Sequence, residues 1–169
     1  MVLSESNKQN LTQLSNIRTG LDNIASHSTR FLQSNSSLEI SSKNVAFAAT
    51  KTAPKDLTVS SVEKDGNLTI SIRAKSTVSR IVGGDIMKIP SSVFKDRIQN
   101  ISLFSFSFRQ DTLFQGDTSR TTGSRILSTT VVNKKLANLT SPINITFNSR
   151  LTIENQHPNC SFWDETTGK

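Results

Sequence analysis

The chain is poor in several residue types on which whole protein classes depend. Its 169 residues include one cysteine, one tryptophan, seven glycines, four prolines and no tyrosine. A single thiol, Cys160, is either a free cysteine or half of a bridge whose partner lies elsewhere. Scarce glycine and proline, beside abundant serine and threonine, favour a β protein rich in threonine, isoleucine and valine over a disordered linker.

Long hydrophobic runs are also absent. Hydrophobic residues make up 34% of the chain, which is below the share of an average globular domain. No stretch approaches the roughly 20 consecutive apolar residues of a transmembrane helix. The N-terminal sequence MVLSESNKQNLTQLSN has no apolar centre like that of a signal peptide. We therefore expect no direct membrane insertion by this segment.

Charges of both signs are present but are not clustered. Twenty lysines and arginines outnumber thirteen aspartates and glutamates, which gives a formal net charge of +7. The basic residues occur singly or as the pair Lys134 and Lys135, without the aromatic interleaving of single-strand binders. This distribution favours a solvated basic surface over a nucleic-acid site. Binding to a polyanion is the alternative, and it would weaken steeply with added salt.

Patterns of metal binding and catalysis are missing from the sequence. His27, His157 and Cys160 do not share ligand spacing on one element. Pro158 lies between His157 and Cys160 and argues against a nucleophile pair. The glycine pair at 83–84 lacks the continuation and the following helix of a phosphate loop. We therefore expect no metal, no cofactor and no freestanding enzyme activity.

A long amphipathic helix is predicted over the first 33 residues. Apolar side chains recur there at steps of three and four, with asparagine, glutamine, serine and arginine on the opposite face. This spacing gathers the apolar residues into one stripe that must pack against the rest of the protein. The stripe comprises Leu11, Leu14, Ile17, Leu21, Ile24 and either Phe31 or Leu32.

From residue 38 onwards the apolar period is two, which predicts successive strands. LTVSSV and NLTISIRA are joined across EKDGN, a strong signal of a hairpin turn. With turn signals about every ten residues, the pattern predicts a mainly β fold, an antiparallel β-sandwich preceded by the packed amphipathic helix. The other predicted strands are SLEISSKNVAFAAT, a short strand before a helical turn near residues 91 to 98, ISLFSFSFRQ, RILSTTVV and INITF.

An aromatic row marks the clearest of these strands. Phe104, Phe106 and Phe108 share one face, because successive side chains of a strand point to opposite sides. Ser105 and Ser107 share the other face. We predict that the three phenylalanines belong to the core of the sandwich and are not a platform for a ligand.

Glycosylation acceptors of the form Asn-x-Ser/Thr are more frequent than chance. Seven occur, whereas the abundance of asparagine, serine and threonine gives roughly four. The excess favours passage through the secretory pathway. In the last strand, Ile143, Ile145 and Phe147 alternate with Asn144 and Thr146, so Asn144 is expected to project into solvent. The seven candidates are Asn10, Asn35, Asn67, Asn100, Asn138, Asn144 and Asn159.

The order of features at the C-terminal end resembles that of one family. The strand SRILSTTVV is followed by NLTSPINITF, then by about ten polar residues and HPNCSFWD. This order resembles the membrane-proximal GAIN domain of adhesion G-protein-coupled receptors, whose receptor proteolysis site starts with Cys-x-Phe-Trp-Asp. The stretch LTSPINITF is similar to the family's Pro-Val-x-Ile-x-Phe or Leu strand. Cys160, Phe162, Trp163 and Asp164 match its cysteine-and-tryptophan motif.

Upstream segments extend the resemblance over nearly the whole chain. ASHSTRFLQ resembles the end of the last helix of the family's helical subdomain, and MKIPSSVF resembles its Leu-Pro-x-x-hydrophobic-Phe segment. The resemblance therefore implies two parts. Residues 1–33 would be the end of GAIN subdomain A. Residues 34–169 would be a β-sandwich like GAIN subdomain B, truncated inside the proteolysis-site motif and without its C-terminal strands.

The resemblance implies a receptor module on the extracellular side of the plasma membrane. In intact receptors of the family, the sandwich holds a tethered agonist as an internal strand, and release of that strand activates the helical bundle. The implied partners are the rest of the receptor in cis, with its seven-helix bundle, and extracellular protein ligands. Cys160 would be half of a disulfide whose partner lies beyond Lys169. Two alternatives stay open, a polycystin-like protein, which shares the proteolysis site, and a cell-surface adhesion domain that does not signal.

The resemblance also predicts that this sequence does not cleave itself. In the family, a His-Leu-Thr or His-Leu-Ser tripeptide is cut between its last two residues, but His27 is followed by Ser28 and His157 by Pro158. This route of cleavage needs a hydroxyl or thiol nucleophile placed against a strained peptide bond, with a base beside it. The matching residues are absent from this sequence. The purified 169-residue protein should keep its intact mass during incubation. Two discrete fragments of fixed mass, unaffected by protease inhibitors, would contradict this expectation.

Overall fold

The computed structural model describes a helix and eight strands. Its described residues are 5–74, 83–95, 99–109, 124–134, 136 and 139–148, with helix side chains described from residue 16 onwards. The helix, α1, spans Glu5–Phe31, and a short 3₁₀ helix spans Ser91–Phe94. The strands are β1 (Ser36–Ile40), β2 (Val45–Thr52), β3 (Leu57–Lys64), β4 (Asn67–Ala74), β5 (Asp85–Ile89), β6 (Ile101–Phe108), β7 (Ile126–Val131) and β8 (Asn144–Thr146).

The strands form two four-stranded sheets. The order in sheet A is β1-β2-β6-β7, and the order in sheet B is β4-β3-β5-β8. Every neighbouring pair is antiparallel. The predicted class, a mainly β fold with an N-terminal helix, is confirmed. The stretch SLEISSKNVAFAAT forms two strands, because β1 and β2 pair with each other across residues 41–44.

The hairpin between β3 and β4 has the turn that its sequence predicts. Lys64 is paired with Asn67, so Asp65 and Gly66 are the two turn residues. Their φ angles are 51° and 75°, both in the left-handed region. A two-residue hairpin of this kind needs positive φ at both positions, which the Asp-Gly pair tolerates better than most residues do.

The aromatic row of β6 is buried, but not between the two sheets. Phe104, Phe106 and Phe108 pack with Phe47 of β2 and with Ala25 of α1. They therefore fill the layer between sheet A and the helix, and the prediction that they form the core of the sandwich is wrong in its placement. The reason is that sheet A is the middle of three layers, so both of its faces are buried.

Small side chains line the face of sheet A that meets sheet B. Ala46 and Ala48 lie there with Leu103, opposite the large aliphatic side chains of β3, β4 and β5. Ser107 is fully buried on this face, and its Oγ lies 2.7 Å from Oγ of Ser61 on β3. Buried hydroxyls need such partners, because an unpaired one costs free energy. The face that carries Ser105 and Ser107 is thus part of the sandwich interior.

The apolar stripe of α1 divides into two parts. Leu21 and Ala25 pack against the phenylalanines of sheet A, whereas Ile17, Ile24 and Phe31 are 50%, 66% and 84% exposed. The step of seven residues along Ile17, Ile24 and Phe31 places them on one line of the helix surface, away from the line that meets the sheet. The side chains of Leu11 and Leu14 are not among those that the structure describes.

Two phenylalanine substitutions test the three-layer arrangement. Phe106→Ala should lower the free energy of unfolding by about 3 to 5 kcal/mol, because it leaves a cavity between α1 and sheet A. Phe31→Ala is the matched control and should change it by less than about 0.5 kcal/mol. Denaturant titrations of both variants measure the difference. Similar costs for the two would mean that the helix does not pack as described.

Candidate functional site at the open side of the sandwich

One side of the sandwich is closed by contacts between β1 and β4. The backbone N–H of Leu68 donates to the carbonyl of Ser42 at 2.7 Å, and the two residues form an isolated bridge between the sheets. The guanidinium of Arg73 lies 2.5 Å from the carboxylate of Glu39. These contacts join the edge strand of sheet A to the edge strand of sheet B.

The opposite side ends in β7 and β8, and it is open in the described part of the chain. There, no strand pairs with the outer edge of either one. β8 is three residues long and pairs only with β5, with Ile145 opposite Met87. Ile145 is 47% exposed and Phe147 is 38% exposed. Among the described residues, the outer edge of β8 therefore has no pairing strand, and apolar side chains are exposed beside it.

A buried ion pair lies at this open side. Asp85, the first residue of β5, is 0% exposed, and Arg125, the residue before β7, is 3% exposed. Arg125 Nε lies 3.1 Å from Asp85 Oδ2. The two atoms are in contact as charges, but they are not aligned as a hydrogen bond. The pair connects sheet B with sheet A at the edge opposite the β1 and β4 contacts.

The alternation of β5 explains why an aspartate is buried. Asp85 is in phase with Met87 and Ile89, which face the sandwich interior, so its side chain enters the core with them. A carboxylate in that position needs a cation, because an isolated buried charge costs far more than an ion pair. Sequence reasoning missed this pair. The available signal was an acidic residue at an inward position of an otherwise apolar face.

Asn148, just after β8, is held by the same group of residues. Its backbone N–H donates to Asp85 Oδ1 at 2.6 Å, and its side-chain Nδ2 donates to the carbonyl of Gly83 at 3.0 Å. Arg125 Nη2 donates to that same carbonyl at 3.1 Å. Gly83 has a φ of 74°, which a residue with a side chain rarely adopts. Gly83, one of the two glycines compared above with a phosphate loop, thus has a structural role in this cluster.

The residues predicted from the proteolysis-site motif lie outside the described part of the chain. This holds for Cys160, Phe162, Trp163 and Asp164, and for the candidate acceptors Asn138 and Asn159. Asn10 lies on α1, but its side chain is not described.

Four of the candidate glycosylation acceptors can be placed. All four are exposed. Asn144 lies on β8 opposite Lys88, on the outer face of sheet B, where its projection into solvent was predicted. Asn100 Nδ2 donates to Ser34 Oγ at 2.6 Å, and Asn35 has a φ of 59°. Glycosylation at each remains a prediction. The four residues are Asn35, Asn67, Asn100 and Asn144.

The acidic and histidine side chains of the described residues are dispersed. They contain no group of three histidine, cysteine, aspartate or glutamate side chains arranged to hold a metal ion. His27 Nδ1 lies 2.9 Å from the backbone carbonyl of Asn23, one turn earlier on α1. Within the same residues, no helix combines the length and the apolar character of a membrane span. The features of the open side are a strand edge, exposed apolar side chains and a fixed position for Asn148.

The comparisons with known proteins agree with this architecture. A family model described as GPS: GAIN subdomain B matches residues 3–169. The solved structure of the full extracellular region of zebrafish Gpr126/Adgrg6 is similar in fold, with a TM-score of 0.62, 20% sequence identity and coverage of 76% of this chain. This chain spans 18% of the length of that one. No curated protein matches the chain significantly. Because the family model extends over nearly every residue, the chain belongs to the GPS family, GAIN subdomain B.

Proposed function

We propose that this chain is the extracellular, membrane-proximal module of an adhesion G-protein-coupled receptor and acts there as a scaffold for a tethered agonist strand. The family match carries the proposal, because it extends over residues 3–169 and includes the Cys-x-Phe-Trp-Asp motif. The similar fold of the zebrafish receptor's extracellular region supports the same role. The partners in cis would be the remaining proteolysis-site strands and the seven-helix bundle of the receptor.

The open side of the sandwich supports a scaffold role. The outer edge of β8 has backbone N–H and C=O groups to which a further strand can pair, as in other cases where a strand is added to a sheet. Ile145 and Phe147 add exposed apolar surface beside that edge. An added strand would bury this surface and gain main-chain hydrogen bonds. Main-chain hydrogen bonds and apolar contacts bind a peptide without any covalent reaction, which fits a non-catalytic module.

The surface of the described residues fits an extracellular location on the plasma membrane. Four acceptor asparagines are exposed, so glycans at these positions would not need a rearrangement of the core. None of the four lies among the buried residues of the two hydrophobic clusters. The exposed positions therefore accommodate the glycosylation that passage through the secretory pathway would bring.

The transcript beyond the codon for Lys169 tests the receptor assignment. We expect it to encode a second cysteine, a His-Leu-Thr or His-Leu-Ser tripeptide and seven apolar spans. Sequencing of full-length cDNA gives the answer directly. A mature transcript without the apolar spans would contradict the proposal and favour a cell-surface adhesion domain that does not signal.

A pair of lysine substitutions in the intact receptor tests the scaffold role. Ile145→Lys places a charge beside the open edge of β8 and should weaken the hold on an added strand, so basal second-messenger production should rise several-fold. Thr146→Lys is the matched control on the same strand, because Thr146 lies opposite Ile86 on the other face. Surface expression of both variants should be measured in parallel.

Equal basal signalling in the two variants and the wild type would contradict the scaffold role of β8. That outcome would not contradict the receptor assignment, which the transcript tests separately. A rise caused equally by both substitutions would also count against the role, since it would show that the charge acts through general destabilisation of the short strand and not through one face.

A further inference from the structure

The contacts around Asp85 form a closed ring of four residues. Asp85 contacts Arg125 through Oδ2 and accepts from Asn148 through Oδ1. The carbonyl of Gly83 accepts from both Arg125 and Asn148, at 3.1 and 3.0 Å. Arg125 and Asn148 thus each contact both Asp85 and the carbonyl of Gly83. Loss of Arg125 would therefore remove a contact from both groups that hold Asn148.

The ring combines segments that are distant in sequence. Gly83 lies two residues before β5, Asp85 is the first residue of β5, Arg125 precedes β7, and Asn148 follows β8. Asp85 and Asn148 are 63 residues apart, and Gly83 and Arg125 are 42 apart. The backbone of Asp85 is fixed by its pairing with Ser61 of β3, and Gly83 is two residues before it in the chain. They give the ring a rigid support in sheet B.

Among the described residues, β8 pairs with β5 and with no other strand. Three pairs of residues join it to β5, and all three of its own residues are exposed. Short exposed strands open locally at low free energy, because they bury little apolar surface. Within the ring, Asp85 and Arg125 are buried, whereas Gly83 and Asn148 are exposed. Electrostatic contacts are stronger in a buried site than at the surface, so the carboxylate that accepts from Asn148 is held firmly by Arg125. The hydrogen bonds of Asp85 and Gly83 to Asn148 are therefore a large share of the described contacts that hold β8 against β5.

We propose that Asp85, Arg125, Gly83 and Asn148 form a latch that fixes β8 and the position of Asn148, from which the chain continues towards the Cys160 motif. Arg125 and Asp85 are positioning residues, since they act through Asn148 and touch no reacting group. In a receptor, where the role of the latch rests on the proposed function, its strength would set how readily the segment after residue 148 is released.

Residue-resolved hydrogen exchange of the 169-residue protein tests the latch. In Arg125→Gln, the β8 amides at Asn144–Thr146 and the amide of Asn148 should exchange at least about tenfold faster, because one partner of a buried pair is lost. Amides in the pairing of β2 with β6 should keep their rates. Arg73→Gln is the matched control, since it breaks the ion pair that closes the other side of the sandwich. It should leave β8 exchange unchanged.

A second variant covers the case in which Arg125→Gln does not fold. Asn148→Ala changes an exposed residue, keeps the backbone N–H bond to Asp85 and removes the side-chain bond to Gly83. It should speed exchange in β8 by about threefold and nowhere else. Asn144→Ala, on the outer face of the same strand, is its control and should have no such effect.

Three results would overturn the latch. They are unchanged β8 exchange in Arg125→Gln, faster exchange by the same factor in β2, β6 and β8, and an equal effect of Arg73→Gln on β8. None of these readouts depends on signalling. A failure of the exchange test therefore leaves the receptor assignment standing, and a transcript without apolar spans leaves the latch standing.

Discussion

Strands β2 and β6 are buried on both of their faces, and the rest of the structure depends on that constraint. One face must match a helix and the other must match a second sheet. The sequence meets both demands by alternation, with aromatic side chains towards α1 and alanine or serine towards sheet B. Without α1, the row of Phe104, Phe106 and Phe108 would be a contiguous apolar surface. The helix therefore completes the core of this domain, and the family match, which begins at residue 3, includes it.

In the part of the chain that the structure describes, three arginine and carboxylate pairs join the two sheets, and they differ in burial. Glu39 with Arg73 lies at the closed side and is partly exposed, and Glu63 with Arg109 lies beside the β3 and β4 hairpin at 3.1 Å. Pairs of that kind contribute little, because water screens them. Asp85 with Arg125 is almost fully buried. Breaking it leaves a charge without compensation in the core, so its loss costs more than the loss of either other pair.

The two sides of the sandwich differ in how their strand edges are closed. The side of β1 and β4 is closed by a backbone bridge and an ion pair. The side of β7 and β8 has uncovered strand edge and apolar side chains in the described residues. A fold alone does not fix a function, which lies in the particular site that the fold presents. Among the described residues, that site is the edge of β8 with the exposed apolar side chains of Ile145 and Phe147 beside it.

The sequence by itself determined the elements and the family. The period of three to four gave α1, the period of two gave the strands, and Asp65 with Gly66 gave the hairpin, because each of these depends on neighbours within a few residues. The Cys-x-Phe-Trp-Asp motif and the strand before it indicated the GAIN family, which the family match confirms. Only the tertiary structure decided which layer the phenylalanines fill, since alternation separates two faces but does not say what covers each. It also decided that Asp85 meets Arg125 and Asn148, because contacts between residues 40 or more positions apart follow from strand order, which local periodicity does not encode.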